Sequence, residues 1–135
     1  MNQRAKKRVL WVENEPGVVE LIDCLFNESG LALRLEIQHV ADGDEAWEEL
    51  KRSNPDLLVT DLEHPGLDGI ELLKLLAAKN VKYPILILSG FDGAEERQRF
   101  CKFCEQEVPE LEVNVMSKPF GNQELISYLT SAIAN

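Results

Sequence analysis

The chain has 135 residues, a length that suits one domain with one hydrophobic core. Its net charge of −10 opposes nonspecific binding to DNA or to anionic membranes, and no apolar run approaches the roughly 20 residues of a membrane helix. Three cysteines, Cys24, Cys101 and Cys104, are too few and too unevenly placed for a disulfide framework, so we expect a cytoplasmic protein.

Strand and helix patterns alternate along the chain after a basic leader at residues 1–7. A short apolar strand begins at Arg8, and Pro16 suits the first turn of the helix that follows. Alternating apolar and polar residues over 31–38 predict a half-buried strand at an edge of the sheet. Asp42 and Gly43 predict the cap of a second helix. Further strands are predicted at 57–60, 84–88 and 111–116, and further helices at 70–77, 94–106 and 125–133.

Five strand–helix units in succession predict a doubly wound α/β domain with a five-stranded parallel sheet and helices on both faces. Ligands of such sheets bind in the crevice outside the carboxyl ends of the strands. Four strand ends deliver polar side chains to this edge, and together they predict one functional site. These side chains belong to Glu13, Asn14, Asp61, Ser89 and Lys118.

Asp61 is the most informative of these residues. An apolar run ends abruptly on its carboxylate, and the turn residues Pro65-Gly66 and then Asp68-Gly69 follow. A carboxylate at the carboxyl end of a strand is a candidate nucleophile or metal ligand. The alternative is a solvated turn carboxylate without a chemical role.

Four segments resemble, in the same order, the signatures of response-regulator receiver domains. They are Val12-Glu13-Asn14-Glu15-Pro16, the segment from Asp61 to Gly69, Leu88-Ser89-Gly90 and Lys118-Pro119-Phe120. The resemblance covers nearly the whole chain. It implies a single domain over 1–135 with a flavodoxin-like fold and the strand order 2-1-3-4-5.

The resemblance also implies a switch in two-component signalling rather than a metabolic enzyme. A histidine kinase or phosphotransfer protein would donate a phosphoryl group to Asp61, and the domain itself would catalyse the transfer with Mg²⁺. Lys118 would neutralise phosphoryl oxygens, and the hydroxyl of Ser89 would donate a hydrogen bond to them. Lys118-Pro119 is a candidate cis peptide bond.

The metal ligands that the resemblance implies are Glu13, Asn14, Asp61 and Glu63, the last through its backbone carbonyl. Receiver domains usually carry two aspartates where this chain has Glu13 and Asn14. An amide oxygen can bind Mg²⁺, but it brings no negative charge. We therefore expect Mg²⁺ binding to be weakened.

Two further departures concern the output surface. Val115 stands three positions before Lys118, where receiver domains usually carry an aromatic ring that moves inward on phosphorylation. The stretch 91–114 is longer than expected, and we place the excess around 105–110. The face formed by strand 4, helix 4, strand 5 and helix 5 is the expected contact for a downstream protein partner, and no direct contact with nucleic acid or membrane is expected.

Several alternatives remain open from the sequence. The departures at Asn14 and Val115 also fit a phosphate-independent pseudo-receiver that acts as an interaction module. A phosphohydrolase resembling haloacid-dehalogenase phosphatases is disfavoured, because the first strand lacks the aspartate nucleophile. Cys101 and Cys104 have the spacing of a redox or zinc pair, but without partner ligands nearby idle thiols are favoured. The chain is either a single-domain regulator or a piece of a larger one.

Overall fold

The computed structural model describes residues 6–62 and 67–133. Within them, five parallel strands form one sheet in the order β2-β1-β3-β4-β5, which confirms the predicted topology. The strands are β1 (Lys7–Val12), β2 (Leu35–Val40), β3 (Leu57–Asp61), β4 (Ile85–Ser89) and β5 (Val113–Ser117). The helices are α1 (Pro16–Ser29), α2 (Gly43–Arg52), α3 (Gly69–Lys79), α4 (Gly93–Glu107) and α5 (Asn122–Ala132).

The second strand begins later than its sequence pattern predicts. Residues Leu31–Leu33 form a 3₁₀ helix, and β2 pairs with β1 only from Leu35 onwards. Gly30 ends α1 in the left-handed region with a φ of 81°. The chain therefore turns sharply after the helix, and an extended strand does not begin directly at Leu31. Leu31 turns inward and is buried, whereas the side chain of Leu33 is 82% exposed. The alternation over 31–34 was therefore a misleading strand signal, although the edge position of β2 is correct.

Each face of the sheet carries its own apolar cluster. Leu10 and Val12 of β1 point to the side that α2, α3 and α4 cover, and Val9 and Trp11 point to the side of α1 and α5. This alternation is the period-two geometry of a strand. Strand β4 is buried along its length, as its continuous apolar run predicts, and β3 is buried up to Thr60.

The starts of the helices differ in whether a side chain caps the backbone N–H groups. The carboxylate of Asp42 accepts the N–H of Glu45 at 2.8 Å and caps α2. Asp68 and Glu71 form a full capping box at the start of α3. The N-cap residue of α4, Asp92, makes no such side-chain bond.

The first strand begins one residue earlier than predicted. Lys7, expected in the basic leader, is the first residue of β1. Residues 1–5 of that leader lie outside the described residues. Among residues 6–62 and 67–133, no helix combines the length and the apolar character that crossing a membrane would require.

Candidate functional site

The side chains of Asp61 and Lys118 meet at the carboxyl edge of the sheet. Lys118 Nζ lies 2.5 Å from Asp61 Oδ2 and donates a hydrogen bond to it. Asp61 is the last residue of β3, and Lys118 follows directly after β5. The side chains are 25% and 42% exposed, respectively, so a reactant in solvent can reach the pair. A carboxylate next to a cation at an open edge has the arrangement required of a nucleophile for a phosphoryl group.

Ser89 lies between these two strand ends. It ends β4, is 7% exposed, and lies opposite Ser117 in the register of β4 and β5. Its carbonyl accepts the backbone N–H of Lys118 at 2.8 Å. The peptide bond between Lys118 and Pro119 is cis, as predicted from the sequence. Neighbouring strand ends therefore bring Asp61, Ser89 and Lys118 together.

Gly69 allows the chain after Asp61 to fold back tightly. A Cβ atom at position 69 would lie 2.7 Å from the Cα of Leu62 and 3.0 Å from the carbonyl oxygen of Asp61. The N–H of Gly69 donates to the carbonyl of Leu62 at 2.9 Å. The start of α3 thus presses directly on the backbone that carries Asp61, and only glycine fits there without a shift.

Glu13 lines a cavity of about 320 Å³ that Lys118 also lines. Trp11 and Phe120 line the same cavity. The Glu13 carboxylate accepts the N–H of Glu15, the N-cap of α1, at a long 3.4 Å. Trp11 itself is buried in the apolar cluster beneath α1 and α5.

The polar groups at this edge are chemically suited to Mg²⁺. The carboxylates of Glu13 and Asp61 and the amide of the exposed Asn14 offer oxygen, the donor type that Mg²⁺ prefers. In the part of the chain that the structure describes, however, no three His, Cys, Asp or Glu side chains converge as a metal-holding group. Glu63, the remaining predicted ligand, lies outside the described residues, as do Pro65 and Gly66.

The stretch before Val115, for which the sequence predicts extra length, contains helix α4. Helix α4 has 15 residues, and a groove of about 370 Å³ separates it from β5. Cys101, Cys104 and Val115 line this groove. Burial, with the neighbouring Cys101 and Glu105 adding to it, raises the pKa of the Cys104 thiol to about 11, which makes its thiolate scarce at neutral pH.

Two structural features of the site had no interpretation in the sequence. The sequence marks Gly69 only as part of a turn, because its close contact with Leu62 depends on how α3 packs. Nothing in the sequence distinguishes Arg97 of α4, yet its Nη1 donates to Ser117 Oγ at 2.6 Å. An exposed arginine in a polar helix carries no sequence signal for such a contact.

Comparison with known proteins agrees with this geometry. A family model described as the response regulator receiver domain matches residues 9–130. The alkaline phosphatase synthesis transcriptional regulatory protein PhoP of Bacillus subtilis is 32% identical over 119 residues, which are 88% of this chain and 45% of that protein. The cell cycle response regulator CtrA of Brucella abortus is 29% identical over 127 residues, which are 93% of this chain and 50% of that protein. The chain therefore spans half or less of the length of these curated relatives.

A solved structure resembles the whole chain. The receiver domain of the Francisella response regulator 1452 matches with a TM-score of 0.77 and 29% identity. The match covers 96% of this chain and 98% of that one.

Proposed function

Because this chain belongs to the response regulator receiver domain family, we propose that Asp61 accepts a phosphoryl group from a histidine kinase or phosphotransfer protein. The contact between Lys118 and Asp61 at the solvent-accessible strand edge is the observation that supports this most directly. Receiver domains are signalling domains that interact with such kinases. The phosphorylation of this particular carboxylate is our proposal.

Each residue at the edge has a physical task in this proposal. A carboxylate oxygen of Asp61 forms the new bond to phosphorus, and the bond between phosphorus and the donor nitrogen breaks. Lys118 stabilises the charge on the phosphoryl oxygens, and the hydroxyl of Ser89 donates a hydrogen bond to them. Asp61, Glu13 and Asn14, with the backbone carbonyl of Glu63 as the resemblance implies, would hold Mg²⁺, which would supply the additional positive charge that the reaction requires.

Incubation with acetyl phosphate and Mg²⁺ followed by intact-mass measurement tests the proposal. We expect wild type to gain the mass of one phosphoryl group and Asp61→Asn to gain none. Asp44→Asn removes an exposed carboxylate from the first turn of α2 and is the matched control, which we expect to label normally. Unlabelled wild type, under conditions that label another receiver domain, would refute phosphorylation at Asp61.

A phosphate-independent interaction module is the second candidate function. The uncharged amide of Asn14, where receiver domains usually carry a carboxylate, favours it. In that case Asp61→Asn would leave partner binding and cellular output unchanged. Loss of output in Asp61→Asn, with the fold intact by circular dichroism, would reject this second candidate.

A further inference from the structure

Helix α4 is fastened to the end of β5 by one arginine. Arg97 Nη1 donates to Ser117 Oγ at 2.6 Å, and Arg97 Nη2 donates to the carbonyl of Val115 at 3.4 Å. We call these two contacts the Arg97 bridge. Both acceptors are neutral, and among the described carboxylates none forms an ion pair with Arg97. The guanidinium is therefore held by bonds weaker than those to a carboxylate.

The strand end held by this bridge also carries the site lysine. Ser117 precedes Lys118 in the chain, and Lys118 contacts both Asp61 and the carbonyl of Ser89. Asp61 is thus connected to Arg97 through the Lys118 side chain, the peptide bond between Ser117 and Lys118, and the Ser117 hydroxyl. A change in the position of Lys118 therefore acts directly on the acceptor of Arg97.

The start of α4 has few other restraints. Asp92 provides no side-chain cap, and Gly93 adopts a φ of 86°, in the left-handed region. By contrast, a full capping box fixes α3 on the other side of Asp61. Of these two helices, α4 is the one whose start lacks a side-chain cap.

We propose that Arg97 is a coupling residue that transmits the state of Asp61 to the first turns of α4. This inference rests on the proposed phosphorylation of Asp61. A phosphoryl group adds negative charge at Asp61, draws the Lys118 ammonium towards its oxygens, and moves the adjacent Ser117 hydroxyl away from Arg97. The Arg97 bridge then opens, and the poorly capped start of α4 loosens.

Hydrogen–deuterium exchange of residues 97–104, with and without Mg²⁺ and beryllofluoride, tests this coupling. In wild type we expect the phosphoryl mimic to accelerate exchange of this segment by at least about threefold. In Arg97→Ala and Ser117→Ala, this segment should exchange fast both with and without the mimic. The difference in exchange rate between the two conditions should therefore disappear. Arg99→Ala removes an exposed arginine two positions further along α4 and is the matched control, which should behave as wild type.

Binding of the mimic is measured on the same samples by ¹⁹F NMR, so that the two proposals fail in different ways. Wild type that binds no beryllofluoride would refute the proposed function, and the coupling with it. Wild type that binds it without a change in α4 would overturn the coupling alone. The coupling would also be overturned if Arg97→Ala kept the full wild-type difference, or if Arg99→Ala lost it.

Discussion

At the scale of single residues, Lys118 is the side chain on which the proposed chemistry depends most. It contacts Asp61 at 2.5 Å, yet its side chain is 42% exposed, so removing it should disturb the site more than the fold. We expect Lys118→Ala to slow phosphoryl uptake from acetyl phosphate by roughly 100-fold, because one preorganised cation is lost from the transition state. The rate of mass gain measures the effect.

Lys102→Ala is the matched control for this change. Lys102 is an exposed lysine of α4, so its removal alters net charge equally without touching Asp61. An equal loss of rate in both variants would show that global charge, rather than the contact with Asp61, drives the reaction.

A second prediction at the residue scale concerns Asn14, whose uncharged amide we expect to lower the affinity for Mg²⁺. We expect Asn14→Asp to tighten Mg²⁺ binding by about tenfold, since a carboxylate adds one negative charge to an otherwise similar oxygen donor. Calorimetric titration at constant ionic strength provides the measurement. Asn27→Asp, at an exposed position of α1, adds the same negative charge away from the site and is the matched control. An unchanged affinity in Asn14→Asp would place Asn14 outside the ligand set.

At the scale of elements, the contact between α3 and the end of β3 has the clearest energetic consequence. We expect Gly69→Ala to lower the free energy of unfolding by about 1–3 kcal/mol, because its methyl group would meet the backbone of Leu62 at 2.7 Å. Urea denaturation followed by circular dichroism measures this. Reduced phosphoryl uptake should accompany the loss, since the carbonyl of Asp61 lies at 3.0 Å from the same methyl group.

Gly17→Ala is the contrasting variant at the element scale. Gly17 lies in α1, and a Cβ atom there would meet nothing within 4 Å. Alanine is the better helix former, so this variant should gain up to about 1 kcal/mol. If both glycine variants lost the same stability, close contact would not explain the effect at Gly69.

At the scale of the whole molecule, the net charge of −10 means that any added cation stabilises the fold by screening repulsion between acidic side chains. This general effect can mask the stabilisation that comes from a specific Mg²⁺ site. At matched ionic strength, we expect Mg²⁺ at ten times its Kd to stabilise wild type by about 1.4 kcal/mol and to raise the Tm accordingly. Asp61→Asn should lose most of this increment, because it replaces a charged carboxylate ligand with an uncharged amide. An equal Mg²⁺ effect in both proteins would assign the stabilisation to general screening of the acidic surface.

The sequence by itself determined the order of strands and helices and the edge at which the site lies. Strands alternating with helices predict a parallel sheet, the resemblance to receiver domains implies its strand order, and the strand that ends on Asp61 indicates which edge carries the site. The motifs around Asp61, Ser89 and Lys118 also identified the family that the comparisons show. These signals are local, so they can be recognised in the chain without knowledge of its packing.

Tertiary structure decided what depends on contacts between distant residues. It placed a 3₁₀ helix at Leu31–Leu33, where the sequence alternates like a strand, because Gly30 ends α1 in the left-handed region and Leu31 packs inward. It also showed that Gly69 contacts Leu62 and that Arg97 reaches Ser117, 20 positions away. Hydrophobic periodicity reports which face of an element is buried, but it carries no information about which side chains meet across two elements. The proposed coupling through α4 is of this second kind.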